Sequence, residues 1–167
     1  KKKKAEGPAV ITATSAAGKT AQYKLTVKTP SVKLNASAKT LYVKGSPATV
    51  TLKATTAGVT GKVTYTSSKP SVVAVAANGK VTAKAAGTAV ITVKCGNYKA
   101  TCKITVKKPS VKASASAKTV FVGGTSQIKV KKTGVSGKVT YTSSNKSVAV
   151  VSAGGKVTAK KAGTATI

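Results

Sequence analysis

The chain has 167 residues, of which 30 are basic, all lysine, and one is acidic. It has no histidine, and its formal net charge is +29. Paired carboxylates, histidine-assisted nucleophiles and the usual ligand sets for zinc or calcium cannot be assembled from such a chain, so we predict no enzyme activity, no cofactor and no metal site. No apolar run approaches the roughly 20 residues of a transmembrane helix, so we predict no membrane span.

The chain repeats itself in three pieces. Residues 1–30 correspond to the C-terminal part of a module, residues 31–109 form a whole module, and residues 110–167 form a second module that lacks its last hairpin. The clearest repeat is KVTYTSS, which occupies residues 62–68 and returns unchanged at residues 138–144. Repetition at a fixed period is typical of an array of like domains.

Each module is predicted to be all-β. In residues 50–54, 73–75 and 89–93, apolar side chains alternate with others, as expected of strands with one buried face. Turn residues separate these strands, most clearly Asn78-Gly79, which tolerates the positive φ of a tight hairpin. About seven short strands in a module of roughly 80 residues, with no helical period, indicate an immunoglobulin-like β-sandwich.

The joints between modules are predicted at Pro30 and Pro109. Proline fixes φ and keeps the preceding residue extended. We therefore expect short, stiff linkers, so that the modules follow one another as a rod.

The incomplete terminal modules allow two interpretations. A sandwich without its edge strands exposes apolar surface and unpaired backbone groups, to which a neighbouring copy can donate a strand. Residues 1–11, however, correspond to residues 157–167, so a donor would bring one strand too many. We favour a segment of a longer repeat chain and keep strand exchange into a filament as the alternative.

Cys95 and Cys102 flank the last hairpin of the whole module, and parity points both side chains inward. A turn centred on residues 98–99 would place them opposite each other, and a disulfide would suit an extracellular protein. A two-residue turn at residues 96–97 would instead leave two buried thiols. The disulfide is the preferred of these two interpretations.

Tyr65 and Tyr141 hold equivalent places and face inward by parity, so both are predicted to be core aromatics. The lysines alternate with core residues, which predicts a solvated outer surface. Almost no carboxylate balances them, so they also attract polyanions such as teichoic acid or anionic polysaccharide. Specific nucleic-acid recognition is not expected, because the chain has neither arginine for base contacts nor an aromatic platform.

Three stretches carry a family resemblance: VTYTSSKPSV at residues 63–72, NGKVTAK at residues 78–84 and AGTAVIT at residues 86–92. They closely resemble the signature of group 2 bacterial immunoglobulin-like domains, the tandem modules of surface proteins of the intimin and invasin kind. The resemblance implies an immunoglobulin-like sandwich, an extracellular place on the bacterial cell surface or in a secreted fibre, and no catalytic residues. Tyr65 and Tyr141 stand where the family commonly has tryptophan.

These features predict a structural repeat segment of a bacterial cell-surface stalk or extracellular fibre, in which stacked modules set spacing and stiffness. Its partners would be neighbouring modules or identical chains, assembled into a filament. The alternative is an adhesin-type binding module that takes anionic glycopolymers through its dense surface lysines.

Overall fold

The computed structural model describes residues 7–167, and residues 1–6, which include the four-lysine run and Glu6, lie outside the described residues. Fifteen strands and no helix are present in this part of the chain. The predicted all-β, immunoglobulin-like fold is confirmed.

The first two strands form an exposed hairpin. Strands β1 (Gly7–Thr14) and β2 (Thr20–Val27) pair antiparallel along their whole length. Every residue of both strands is exposed. We call this element the N-terminal hairpin.

Residues 31–109, the central module, form two facing sheets. Strands β3 (Ser31–Leu34) and β4 (Ala38–Tyr42) are separated by three residues, and β5 (Thr49–Thr51) and β6 (Ala54–Ala57) divide the segment over residues 50–54 that alternation predicted as one strand. These two interruptions give nine short strands where the pattern predicted about seven. The remaining strands are β7 (Thr64–Ser67), β8 (Val73–Val75), β9 (Lys80–Ala83), β10 (Gly87–Cys95) and β11 (Tyr98–Lys107).

The order of these strands is that of a sandwich. One sheet runs β4-β11-β10-β7, and the other is made of the pair β3-β6 and the triplet β5-β9-β8. Strand β4 lies parallel to β11, whereas the other pairs are antiparallel. The last strand of the module, β11, therefore lies beside β4, close to the start of the module.

The core of the central module depends heavily on the hairpin β10–β11. Burying one of the larger aliphatic side chains stabilises a fold by roughly 1.5–3 kcal/mol. The hairpin supplies five of the nine residues of the main buried cluster, which are Leu41, Leu52, Val73, Val81, Ala89, Ile91, Cys102, Ile104 and Val106.

Side chains make hydrogen bonds to the backbone groups of residues 52–54, where the ladder is interrupted between β5 and β6. The carboxamide oxygen of Asn35 accepts a hydrogen bond from the N–H of Lys53 at 3.0 Å. The hydroxyl of Tyr65 donates to the carbonyl of Leu52 at 3.0 Å and accepts from the N–H of Ala54 at 3.2 Å. Because Tyr65 lies on β7 in the opposite sheet, its ring crosses the core and ties the two sheets together.

Residues 110–167, the C-terminal module, have one sheet with the order β12 (Ser110–Ala115), β13 (Thr125–Thr133), β15 (Lys156–Ala159), β14 (Ala149–Val151). The segments that match β4 and β7, residues 117–121 and 140–143, form no strand. In the central module these segments pair with β11 and β10. In the C-terminal module only residues 163–167 stand in the place of that hairpin, at the start of β10.

Candidate functional site: the joint between modules

Within residues 7–167 the structure holds no group of three or more histidine, cysteine or acidic side chains that could bind a metal ion. The same residues include no helix long and apolar enough to cross a membrane. The features that distinguish this part of the chain are its joints.

The central and C-terminal modules meet in close contact. The N–H of Ser46 donates to the carbonyl of Gly134 at 3.0 Å. The ring of Tyr42 lies so close to Gly134 that a Cβ there would overlap it, and a Cβ on Gly45 would come within 2.7 Å of the Cγ of Pro109. Two glycines thus permit a backbone approach that no other residue type would allow without movement.

The prolines predicted as joints lie at these contacts. Pro109 is half-buried against Gly45, as described, and Pro30 is half-buried with its Cα and Cβ 3.6 Å from the position of a Cβ on Gly58. Gly58 holds the same place in the central module as Gly134 holds in the C-terminal module. The joint at Pro30 therefore uses a glycine equivalent to the one at the joint between the central and C-terminal modules.

Tyr42 and Gly134 are the joint residues that sequence reasoning missed. Tyr42 lies at the end of β4 and faces outward, and alternation alone predicts a solvent-exposed side chain at this position. The signal that was available is the repeated glycine at 58 and 134, each a fixed distance before the shared tyrosine motif.

The predicted disulfide between Cys95 and Cys102 does not form, and both thiols are free and buried. The turn is the two-residue one at residues 96–97, so Cys95 opposes Tyr98 and Cys102 opposes Ile91. Four residues of strand, roughly 13 Å, separate Cys95 from Ile91, whereas a disulfide needs Cα atoms within about 7 Å. This register is the physical reason for the correction.

Neither thiol is placed for chemistry. The thiol of Cys95 donates to the carbonyl of Gly61 at 3.3 Å. Burial raises the pKa of the Cys102 thiol, and the positive charge of Lys39 opposes that rise. A protonated, enclosed thiol is a poor nucleophile at neutral pH, so Cys102 serves packing.

Tyr65 and Tyr141 are half-buried and lie over equivalent glycines. A Cβ on Gly79 would come within 3.0 Å of the Cζ of Tyr65, and one on Gly155 within 2.9 Å of the Cζ of Tyr141. Tyr65 also packs against the main buried cluster of the central module and against a smaller one made of Val32, Val93 and Cys95. The two rings thus take equivalent places in the central and C-terminal modules.

Two family models match the chain. Residues 61–108 match the bacterial Ig-like domain, and residues 103–167 match the bacterial Ig-like domain of group 2. Over residues 61–167 the chain therefore belongs to the bacterial immunoglobulin-like domains. No curated protein matches it significantly.

Solved structures of an S-layer protein are similar in fold. The S-layer protein rSbsC(31-844) aligns with a TM-score of 0.52 at 24% identity, over 86% of this chain and 27% of its own. SbsC domains 1-6 align with a TM-score of 0.53 at 21% identity, over 96% of this chain and 32% of their own. SbsC domains 4 and 5 align with a TM-score of 0.51 at 25% identity, over 81% of this chain and 88% of their own. The chain spans about a quarter to a third of the length of the first two.

Proposed function

We propose that this chain is a structural repeat segment of a bacterial cell-surface stalk or extracellular fibre, in which immunoglobulin-like modules are held at fixed spacing. The joint of Tyr42 with Gly134 carries the proposal. A flexible linker needs neither a hydrogen bond between modules nor glycines at the closest contacts, whereas this joint has both, which favours a rigid spacer. Membership of the bacterial immunoglobulin-like domains and the fold shared with S-layer protein structures support the extracellular setting.

Replacing Gly134 by alanine is expected to loosen the joint while both modules stay folded. Gly134 has φ +65°, and the new methyl group would overlap the ring of Tyr42. Spin labels at Lys80→Cys and Lys156→Cys, which are exposed and equivalent positions, report the distance between the modules. We expect a narrow distance distribution in the parent chain and a broad one in Gly134→Ala.

Gly137→Ala is the matched control. Gly137 also has positive φ, +101°, but nothing lies within 4 Å of an added Cβ. Each substitution therefore carries a backbone strain of about 1–2 kcal/mol, while only Gly134→Ala disturbs the contact between modules. Equally narrow distributions in all three proteins, or an already broad one in the parent chain, would contradict the proposed rigid spacer.

A lysine cluster favours a second function, the binding of anionic glycopolymers. Lys94 and Lys99 face each other across β10–β11, and Lys103 and Lys107 follow on the same side of β11. All four are exposed, and residues 7–167 contain no carboxylate side chain to offset them. Like charges directly opposite on paired strands are destabilising, so a polyanion that neutralises them would be bound favourably.

The salt dependence of retention on an immobilised teichoic acid tests this second function. A specific site should retain the chain at about 0.15 M salt, where screening limits general attraction to about 8 Å. The double variant Lys94→Gln/Lys99→Gln should then elute earlier than Lys33→Gln/Lys53→Gln, which removes the same charge from the opposite sheet. Complete loss of retention of the parent chain at this salt concentration would exclude the second function.

A further inference from the structure

Strand β11 of the central module presents a row of alternating lysines and threonines on the outer face of its sheet. Its inward residues Cys102, Ile104 and Val106 are buried. The residues between and beside them face outward, and all of them are exposed except the half-buried Thr105. We call this set the lysine–threonine row, and its members are Lys99, Thr101, Lys103, Thr105 and Lys107.

The row is regular and lies above a floor of short side chains. Successive members are two strand residues apart, about 6.7 Å, so the row is about 27 Å long. The neighbouring strands place no long side chain beside its middle three members. The residues opposite those members are Thr92, Val90 and Thr88 on β10, and Ala38 and Thr40 on β4. A thin polymer can therefore lie along β11 between the two neighbouring strands.

The same pattern occurs in an equivalent strand that precedes the central module. Residues 24–28 read KLTVK, and residues 103–107 read KITVK. The hairpins β1–β2 and β10–β11 have equivalent registers, so these two stretches hold equivalent places in them. The alternation of lysine and threonine is therefore a repeated feature of this strand.

A row of alternating ammonium groups and hydroxyls suits a polymer with closely spaced anions. The lysine ammonium group has three donors and a charge that neutralises a phosphate, and the threonine hydroxyl donates one hydrogen bond. Hydrogen bonds to an ionised acceptor are stronger than those between neutral groups. Every member of the row, and not only every second one, can thus hold an anionic oxygen.

The spacing of the row indicates which polymer fits. Two residues of an extended strand contribute six backbone bonds, and a glycerol phosphate unit joined through its terminal carbons also contributes six, from one phosphorus to the next. A ribitol phosphate unit contributes eight, and hyaluronate carries a carboxylate on every second sugar ring only. Of these three polymers, poly(glycerol phosphate) alone keeps one anion at each member along the whole row.

Single-stranded nucleic acid also has six backbone bonds for each phosphate, but the face does not suit its bases. Proteins hold such strands by stacking the bases on aromatic side chains. In the described sheet β4-β11-β10-β7, Tyr42 is the one aromatic residue on the outer face, and its ring lies against Gly134 at the joint. The face therefore favours a polymer without bases.

We propose that the lysine–threonine row binds poly(glycerol phosphate), laid along β11 with one phosphate at each lysine or threonine. This inference rests on the second proposed function, the binding of anionic glycopolymers. It names the class of polymer, and it adds the hydroxyls of Thr101 and Thr105 to the lysines that bind it.

The test is isothermal titration calorimetry of the full chain at about 0.15 M salt, where general attraction is screened beyond about 8 Å. The probes are synthetic oligomers of glycerol phosphate, ribitol phosphate and thymidylate with equal numbers of phosphates. We expect the glycerol phosphate oligomer to bind at least about fivefold more tightly than either of the others, because only it places charged acceptors at both hydroxyls without bases. Equal affinities, or tighter binding of the thymidylate, would overturn the proposal.

Two substitutions that leave the net charge unchanged test the hydroxyls. Thr101→Val/Thr105→Val removes both hydroxyls and keeps the β-branched shape that suits a strand. It is expected to weaken binding of the glycerol phosphate oligomer about tenfold or more, because two hydrogen bonds to charged groups are lost. Thr49→Val/Thr51→Val removes two exposed hydroxyls from β5 in the opposite sheet and should bind like the parent chain. Equal affinities of the two double variants would overturn the proposal.

Failure of this inference is distinguishable from failure of the second proposed function. Retention on immobilised teichoic acid depends on Lys94 and Lys99, which both threonine variants keep. A chain that is retained at about 0.15 M salt, but shows no preference among the three oligomers, would keep the second function and overturn the row as a site for poly(glycerol phosphate).

Discussion

Replacing Ile104 by alanine is expected to destabilise the central module by about 2–5 kcal/mol, the range observed for cavities made in well-packed cores. Ile104 lies on β11, is fully buried and belongs to the main cluster with Leu41 and Leu52. Strands β4 and β10 hold β11 on both sides, so the surroundings cannot collapse readily into the space. Urea unfolding followed by hydrogen exchange in peptides of β10 and β11 would measure the loss in this module alone.

The N-terminal hairpin offers a matched control for this prediction. Leu25 holds the position of Ile104 in that hairpin but is 42% exposed. In the monomer, Leu25→Ala should change the unfolding free energy of the central module by less than about 0.5 kcal/mol, as surface substitutions do. A comparable loss of unfolding free energy in both variants would show that Ile104 does not belong to the core of the central module.

Gly79→Ala is expected to cost the central module about 2–5 kcal/mol. An alanine at φ +80° carries about 1–2 kcal/mol of strain, and its Cβ would overlap the carbonyl of Leu52 and press on the ring of Tyr65, which adds about 1–3 kcal/mol of overpacking. Each kilocalorie lowers the melting temperature of a domain this size by about 4–8 °C. Thermal unfolding should therefore show a clear fall.

Gly18→Ala is a control for a positive-φ glycine that lies outside the central module. Gly18 lies in the turn of the N-terminal hairpin with φ +74°, and nothing lies within 4 Å of an added Cβ. This variant carries the backbone strain alone, and it carries it outside the central module, so the melting temperature of that module should not move. A fall equal to that of Gly79→Ala would show that the loss does not arise from the surroundings of Gly79 in the central module.

Alternation along the sequence identified which side chains face the core, but it could not fix the register of the last hairpin. Cys95 and Cys102 point inward for a turn at residues 96–97 and equally for one at residues 98–99, because parity is the same in both. The choice depends on which turn suits the twist of the strands. Parity therefore predicted burial of the cysteines correctly and their pairing wrongly.

The repeated heptapeptide shows a second limit of sequence reasoning. Residues 64–67 form strand β7, while the same residues at 140–143 form no strand. Strand formation depends on a partner more than on intrinsic preference, and β10 is the partner that residues 140–143 lack in the described chain. The joint of Tyr42 with Gly134 escaped prediction for a similar reason, since it depends on a contact between residues far apart in sequence.

The parallel pairing of β4 with β11 has a mechanical consequence. Tension applied along the chain pulls β4 backward from residue 31 and β11 forward from residue 109, so the two strands are sheared past each other. The bonds between Ala38–Tyr42 and Lys103–Lys107 are then loaded together and cannot open one at a time. A module threaded in this way resists extension best when it is pulled along its own chain direction.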